Sequence, residues 1–141
     1  MRKIIICIFL VLTFICSCSE KNESAEDLIN KAKLLLNGKQ NNDKKKAIEY
    51  LDKAIKLQPN NAVAYNRRGI VYFHLSQYQQ AIENFNKAII LKPDFADAYV
   101  NRGNLYFIQG NNELGCRDAQ KGCELGNCIL LEAAKGKGLC R

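Results

Sequence analysis

The chain contains no tryptophan, one histidine and two prolines among its 141 residues. The lone His74 lies among apolar neighbours, with no carboxylate or cysteine at catalytic spacing, so no acid–base or nucleophilic site is expected and the chain reads as a non-enzyme. No Cys-x-x-Cys pair occurs, which together with that single distant histidine argues against a zinc site. No glycine-rich loop of the kind that cradles phosphate appears, so no cofactor is expected. Acidic residues are the scarcer charge, 14 against 21 Lys and Arg, giving +7. The basic residues do not form a stripe interleaved with aromatics, so nucleic acid is not an expected partner. Lys44-Lys45-Lys46 reads as a solvated helix start, with contact to anionic headgroups as the weaker alternative. At 48% hydrophobic the chain is too apolar to be disordered throughout, and its length suits one compact domain.

Long apolar runs are missing as well. Residues 4–15 carry no charge, but twelve helical residues reach only about 18 Å, short of a hydrocarbon core of about 30 Å. Behind Arg2 and Lys3, that run predicts a secretory signal peptide over residues 1–17. Its end, Ile15-Cys16-Ser17-Cys18, resembles the bacterial lipobox. The resemblance implies a diacylglyceryl group on the Cys18 thiol, cleavage before Cys18, and a lipid-held, periplasm-facing protein of the cell envelope. Ser19 stands where an inner-membrane retention signal would place Asp, which points to the outer membrane. Residues 18–24, polar and without apolar period, read as the lipidated cysteine and a tether.

What the sequence has in abundance is repetition. Ala47-Ile48-Glu49 recurs as Ala81-Ile82-Glu83 34 residues later, and Pro59, Tyr65, Gly69 and Tyr72 recur at the same interval as Pro93, Tyr99, Gly103 and Tyr106. In the second repeat the ordered set is Tyr65, Gly69, Tyr72, Ala81, Phe85, Ala88 and Pro93. Tyr65, Arg68, Gly69 and Tyr72 share one helical face, and Ala81, Phe85, Ala88 and Leu91 form a facing stripe. Gly69 and Ala81 let the two axes approach, and Pro93 forces the chain to turn. One such pair cannot bury its apolar face alone, and about three are needed. On this pattern the chain is identified as a member of the tetratricopeptide repeat family. The fold class expected is all-α, a superhelix of about three helix-turn-helix repeats plus a short C-terminal capping helix. The organisation expected is a degenerate first repeat at 25–60, a second at 61–94, a third at 95–127 and a cysteine-rich capping segment at 128–141. Within the first repeat, helices are expected over about 25–37 and 44–57, separated by a polar loop at 38–43. In the third, Gly115, Ala119 and Gly122 replace Ala81, Phe85 and Ala88, so the aromatic plug is expected to be absent and the end of the array to need other support.

The resemblance also implies a concave side lined by the first helix of each pair. The groove positions it gives are Val63, Asn66, Ile70, Phe73 and His74, then Asp97, Val100, Asn104, Phe107 and Ile108. Such a surface suits an extended peptide or a partner helix. Relatives that clamp C-terminal carboxylates do so from positions held here by Ala32, Leu36, Arg67, Asp97 and Asn101, so that clamp is mostly missing. The function expected is a lipid-anchored interaction scaffold in an envelope complex. The rivals are a structural lipoprotein without a groove ligand and an accessory regulator of an envelope enzyme.

Cys116, Cys123, Cys128 and Cys140 fall within the last 26 residues. In an exported chain they favour two disulfides. Cys116 and Cys123 lie on one expected helix about 10.5 Å apart, too far to pair. Two connectivities remain, of which 123–128 with 116–140 suits a chain that returns antiparallel after Gly126-Asn127. The longer bridge would restrict the unfolded chain by about 3 kcal/mol. Non-reducing peptide mapping of the exported protein is expected to find two bridges among these four cysteines; four free thiols would overturn the expectation.

Overall fold

The structure, a computed structural model, describes residues 23–36 and 40–140. The signal segment, Cys18 and most of the tether lie outside the described residues. Seven helices and no strand occur among those described: α1 Ala25–Leu36, α2 Asn41–Leu57, α3 Ala62–His74, α4 Tyr78–Leu91, α5 Ala96–Ile108, α6 Asn112–Glu124 and α7 Ile129–Gly136. They pack in sequence as three antiparallel pairs, α1/α2, α3/α4 and α5/α6, with α7 laid against α5 and α6. No helix among the described residues is long and apolar enough to cross a membrane.

Local chemistry places the helix ends. Ser24 forms a reciprocal cap with Asp27: the Asp27 amide donates to Ser24 Oγ at 3.1 Å, and the Ser24 amide donates to Asp27 Oδ2 at 3.2 Å. Hydrogen bonds from the Ser24 hydroxyl and amide hold the Asp27 carboxyl below its ordinary range. The last tether residue is therefore the cap of α1. Asn61 and Asn111 cap α3 and α6 by accepting from the Ala64 and Leu114 amides at 3.0 and 3.2 Å. α2 begins at Asn41 rather than at Lys44. Asp43 in its first turn offsets the helix dipole ahead of the three lysines, so the helix extends back into the expected polar loop.

α3, α5 and α6 end in the same turn. Ser76, Gly110 and Gly126 adopt φ of 58°, 77° and 98°. The following amides of Gln77, Asn111 and Asn127 donate back to Tyr72, Tyr106 and Gly122 carbonyls at 2.9, 2.9 and 2.8 Å. Serine is the costly member of this set, because a Cβ crowds the backbone at positive φ.

The interiors of the second and third pairs are filled differently. A Cβ on Gly69 would lie 2.6 Å from the Phe85 ring, so glycine on the first helix admits an aromatic from the second. In the third pair the arrangement is reversed. A Cβ on Gly115 of α6 would lie 2.7 Å from the ring of Phe107 on α5. The plug expected to be absent is present, supplied by the opposite helix. Leu130 of α7 then fills the space over Gly103, where a Cβ would meet its Cδ2 at 3.0 Å.

Arginine joins the pairs to each other. Arg68 on α3 donates from Nε to Asn84 Oδ1 on α4 at 2.8 Å and from Nη1 to Asp52 Oδ1 on α2 at 2.5 Å. Arg102, one repeat later, donates from Nε and Nη2 to both Asp118 oxygens on α6 at 2.7 Å and from Nη1 to Asn86 on α4 at 2.6 Å. Each guanidinium lies over a tyrosine of its own helix, Tyr65 at 5.3 Å and Tyr99 at 5.7 Å. Burial works against the charged form of Arg102, but the hydrogen bonds and charge of Asp118 outweigh it and raise its pKa.

Two outcomes follow in chemical denaturation. Ser76→Gly is expected to stabilise the protein by about 0.5–1 kcal/mol, because it relieves the positive φ at the cost of some chain entropy. Asp118→Ala is expected to cost about 3 kcal/mol, because it leaves Arg102 without its main partner. Asp118→Asn is expected to cost about 1 kcal/mol, because Asn84 already fills the equivalent place beneath Arg68.

Candidate functional site

Because α1, α3 and α5 are the first helices of their pairs, they stack along one side of the molecule, with contacts from α1 to α3 and from α3 to α5. Between α3 and α5 lies a cavity of about 420 Å³. Val63, Asn66, Ile70, Asp97 and Val100, all expected in a groove, line it together. Arg67, Asn101, Phe95 and Asn127 complete its wall. A smaller cavity of about 140 Å³ adjoins it at Ile70 and Asn101 and contains the expected Phe73, His74 and Asn104. A third, of about 270 Å³, shares Val63 and Arg67 with the first and carries the groove onto α1 through Glu26, Ile29, Asn30 and Lys33. The degenerate first helix thus contributes a wall. Of the positions equivalent to the carboxylate clamp, Ala32 is buried in the core while Arg67, Asp97 and Asn101 face the cavity.

Two expected groove residues do not line these cavities. Phe107 is turned onto Gly115 inside the third pair, because the missing side chain there offers the ring a berth. Ile108 is half exposed at the end of α5.

The polar groups are arranged in pairs. Asn101 Nδ2 donates to Asn66 Oδ1 at 3.1 Å, and Asn66 is only 3% exposed, so its amide is part of the packing as well as of the lining. Asn127 Nδ2 donates to Asp97 Oδ1 at 3.0 Å. Arg67 is half-buried, borders two cavities, and makes no ion pair among the described residues. The site therefore offers amides and one guanidinium between aliphatic walls, a surface for hydrogen-bonding an extended chain. Among the described residues, the lining of the large cavity holds one carboxylate and no serine, cysteine or histidine.

Phe95 and Asn127 escaped the sequence reading because they belong to the turns after α4 and α6, while the repeat pattern points only to helix faces. Arg67 and Asn101 carried a signal, as the residues at clamp-equivalent positions.

At the C-terminal end, Cys116 is bridged to Cys140 with Cα atoms 5.6 Å apart, and Cys123 to Cys128 with Cα atoms 3.9 Å apart. No group of three or more metal-ligating side chains occurs among the described residues.

Three family models match overlapping stretches of the chain. A tetratricopeptide repeat model matches residues 28–61, a second matches 50–83, and a TPR repeat model matches 71–110. The fold resembles the Arabidopsis OM64 TPR domain, with a TM-score of 0.73 at 25% identity over 81% of this chain and 93% of that one. It also resembles MamA, with a TM-score of 0.64 at 29% identity over 81% of this chain, and spans 61% of the MamA chain. The first TPR of Spaghetti, solved with the HSP90 peptide SRMEEVD, gives a TM-score of 0.71 at 23% identity over 80% of this chain and 89% of that one. No curated protein matches the sequence. Helix pairs repeated every 34 residues, matched by repeat models over overlapping stretches and stacked in this way, make the chain a carrier of tetratricopeptide repeats folded as an all-α superhelix.

Proposed function

We propose that the chain is a non-enzymatic protein-interaction scaffold that takes an extended peptide or partner helix in the groove of α1, α3 and α5. The observation that carries this reading is the half-buried Arg67, set between two cavities, flanked by Val63 and Ile70 and without an ion-pair partner among the described residues. Desolvated donors beside aliphatic walls recognise a peptide by its carbonyl or carboxylate groups while its side chains fill the apolar spaces. That a repeat domain of the same fold was solved with a bound peptide supports the reading. The lipobox resemblance at Cys18 supports a lipid anchor in a bacterial envelope, facing the periplasm from the outer membrane, and the two bridges suit that oxidising compartment.

Selection of peptides on the full chain from a random display library is expected to enrich a consensus. Arg67→Ala is expected to weaken the selected peptide by about tenfold or more, with Tm unchanged. No enrichment, or undiminished binding by the variant, would overturn the groove and favour a structural lipoprotein. Asn66→Ala is expected both to weaken binding and to cost about 1–2 kcal/mol of stability, because Asn101 loses its acceptor. Metabolic labelling with a radioactive fatty acid is expected to mark the protein and to be abolished by Cys18→Ser.

A further inference from the structure

The turn after α6 forms part of the groove as well as ending a helix. Asn127 lies in the wall of the large cavity, and its Nδ2 reaches Asp97 across from α5 at 3.0 Å. Its other amide atom, Oδ1, is buried without a hydrogen-bond partner among the described residues. A buried acceptor without a donor is costly, so the side chain does not choose this position for its own hydrogen bonding. The backbone imposes it. The Asn127 amide donates to the Gly122 carbonyl at 2.8 Å, and Gly126 supplies the positive φ that turns the chain. Gly122 permits the close approach, since a Cβ there would lie 2.8 Å from Val100 Cγ2 and 3.4 Å from the Asn127 carbonyl oxygen. Around this turn runs the Cys123–Cys128 bridge, closing a loop with a sequence separation of 5. The other bridge, separation 24, ties Cys140 to Cys116 near the start of α6. Asn127 lies far along the same helix, beyond its other end.

We propose that the two bridges have different tasks: Cys123–Cys128 is a positioning element of the groove, holding Asn127 against Asp97 as its wall, whereas Cys116–Cys140 secures only the C-terminal cap. The inference rests on the groove reading for its functional meaning, but its geometry stands apart from any ligand. A short covalent loop removes most alternative conformations of the enclosed residues, so the wall is in place before a ligand arrives and the ligand does not bear the cost of ordering it. The wall also joins the third repeat to the binding surface. Asn127 and Asp97 are the contact by which the turn after α6 reaches α5 in that surface.

Hydrogen exchange followed by NMR on the full chain in detergent micelles, without ligand, tests this. With Cys123→Ala and Cys128→Ala together, the backbone and side-chain amides of Asn127 are expected to exchange about tenfold faster or more, while those of Val71 and Ala119 change by less than about threefold. With Cys116→Ala and Cys140→Ala together, Asn127 is expected to stay within about threefold of the parent. Unchanged exchange at Asn127 in the first variant, or equal acceleration in both, would overturn the proposal. If the first variant loses the protection of α6 as a whole, Gly126→Ala with both bridges intact decides. A bridge that positions the loop keeps Asn127 protected there, whereas acceleration of about tenfold would show that the turn alone holds it, and would overturn the proposal. Failure of peptide selection leaves all these rates untouched, so loss of the groove reading and loss of this one are told apart.

Discussion

Three helix pairs stay in register because one arginine in each of the last two reaches both ways. Arg68 and Arg102 bond to the second helix of their own pair and to the second helix of the pair before. A pair of amphipathic helices slides easily when apolar contact alone holds it, since such contact has little direction. A guanidinium does not, because its donors are fixed in a plane and each acceptor must meet one of them. The two junctions use the same geometry with amide and carboxylate exchanged: amide within the pair and carboxylate behind it for Arg68, the reverse for Arg102. The buried carboxylate thus lies in the third pair, where Asp118 is held by two hydrogen bonds, while Asp52 remains half exposed to water.

This distribution suits an array whose last member is the weakest by composition. The third pair has Gly115 and Gly122 in its second helix and lacks the phenylalanine that fills the second pair. It is completed by Phe107 turned inward, by Leu130 of the short seventh helix, by the Arg102–Asp118 pair and by two covalent bridges. A solenoid buries each repeat against its neighbours, and the end unit lacks one neighbour. Here ionic and covalent links substitute for it.

The groove follows from the same stacking. First helices are adjacent because each second helix packs on the first helix of the next pair, and the exposed side chains of the first helices then face a shared space. Its chemistry is set by few residues. Asn101 donates to Asn66, Asn127 donates to Asp97, and Arg67 makes no ion pair among the described residues.

The period and the helix faces are legible in the amino-acid sequence, and its resemblance to the repeat family marks Val63, Asn66, Ile70, Asp97 and Val100 as groove positions. The period and the faces depend on spacing along one chain, and 3.6 residues per turn converts spacing into a face. The sequence placed Arg68 on the inner face but could not show its acceptors, which lie 16 residues away on either side, on other helices. Those pairings, the turning of Phe107 onto Gly115, and the entry of Asn127 and Phe95 into the groove wall emerge only from packing between helices. The physical reason is common to all three. Each depends on which empty volume or unpaired atom a neighbouring element presents, and that is settled only when the helices meet.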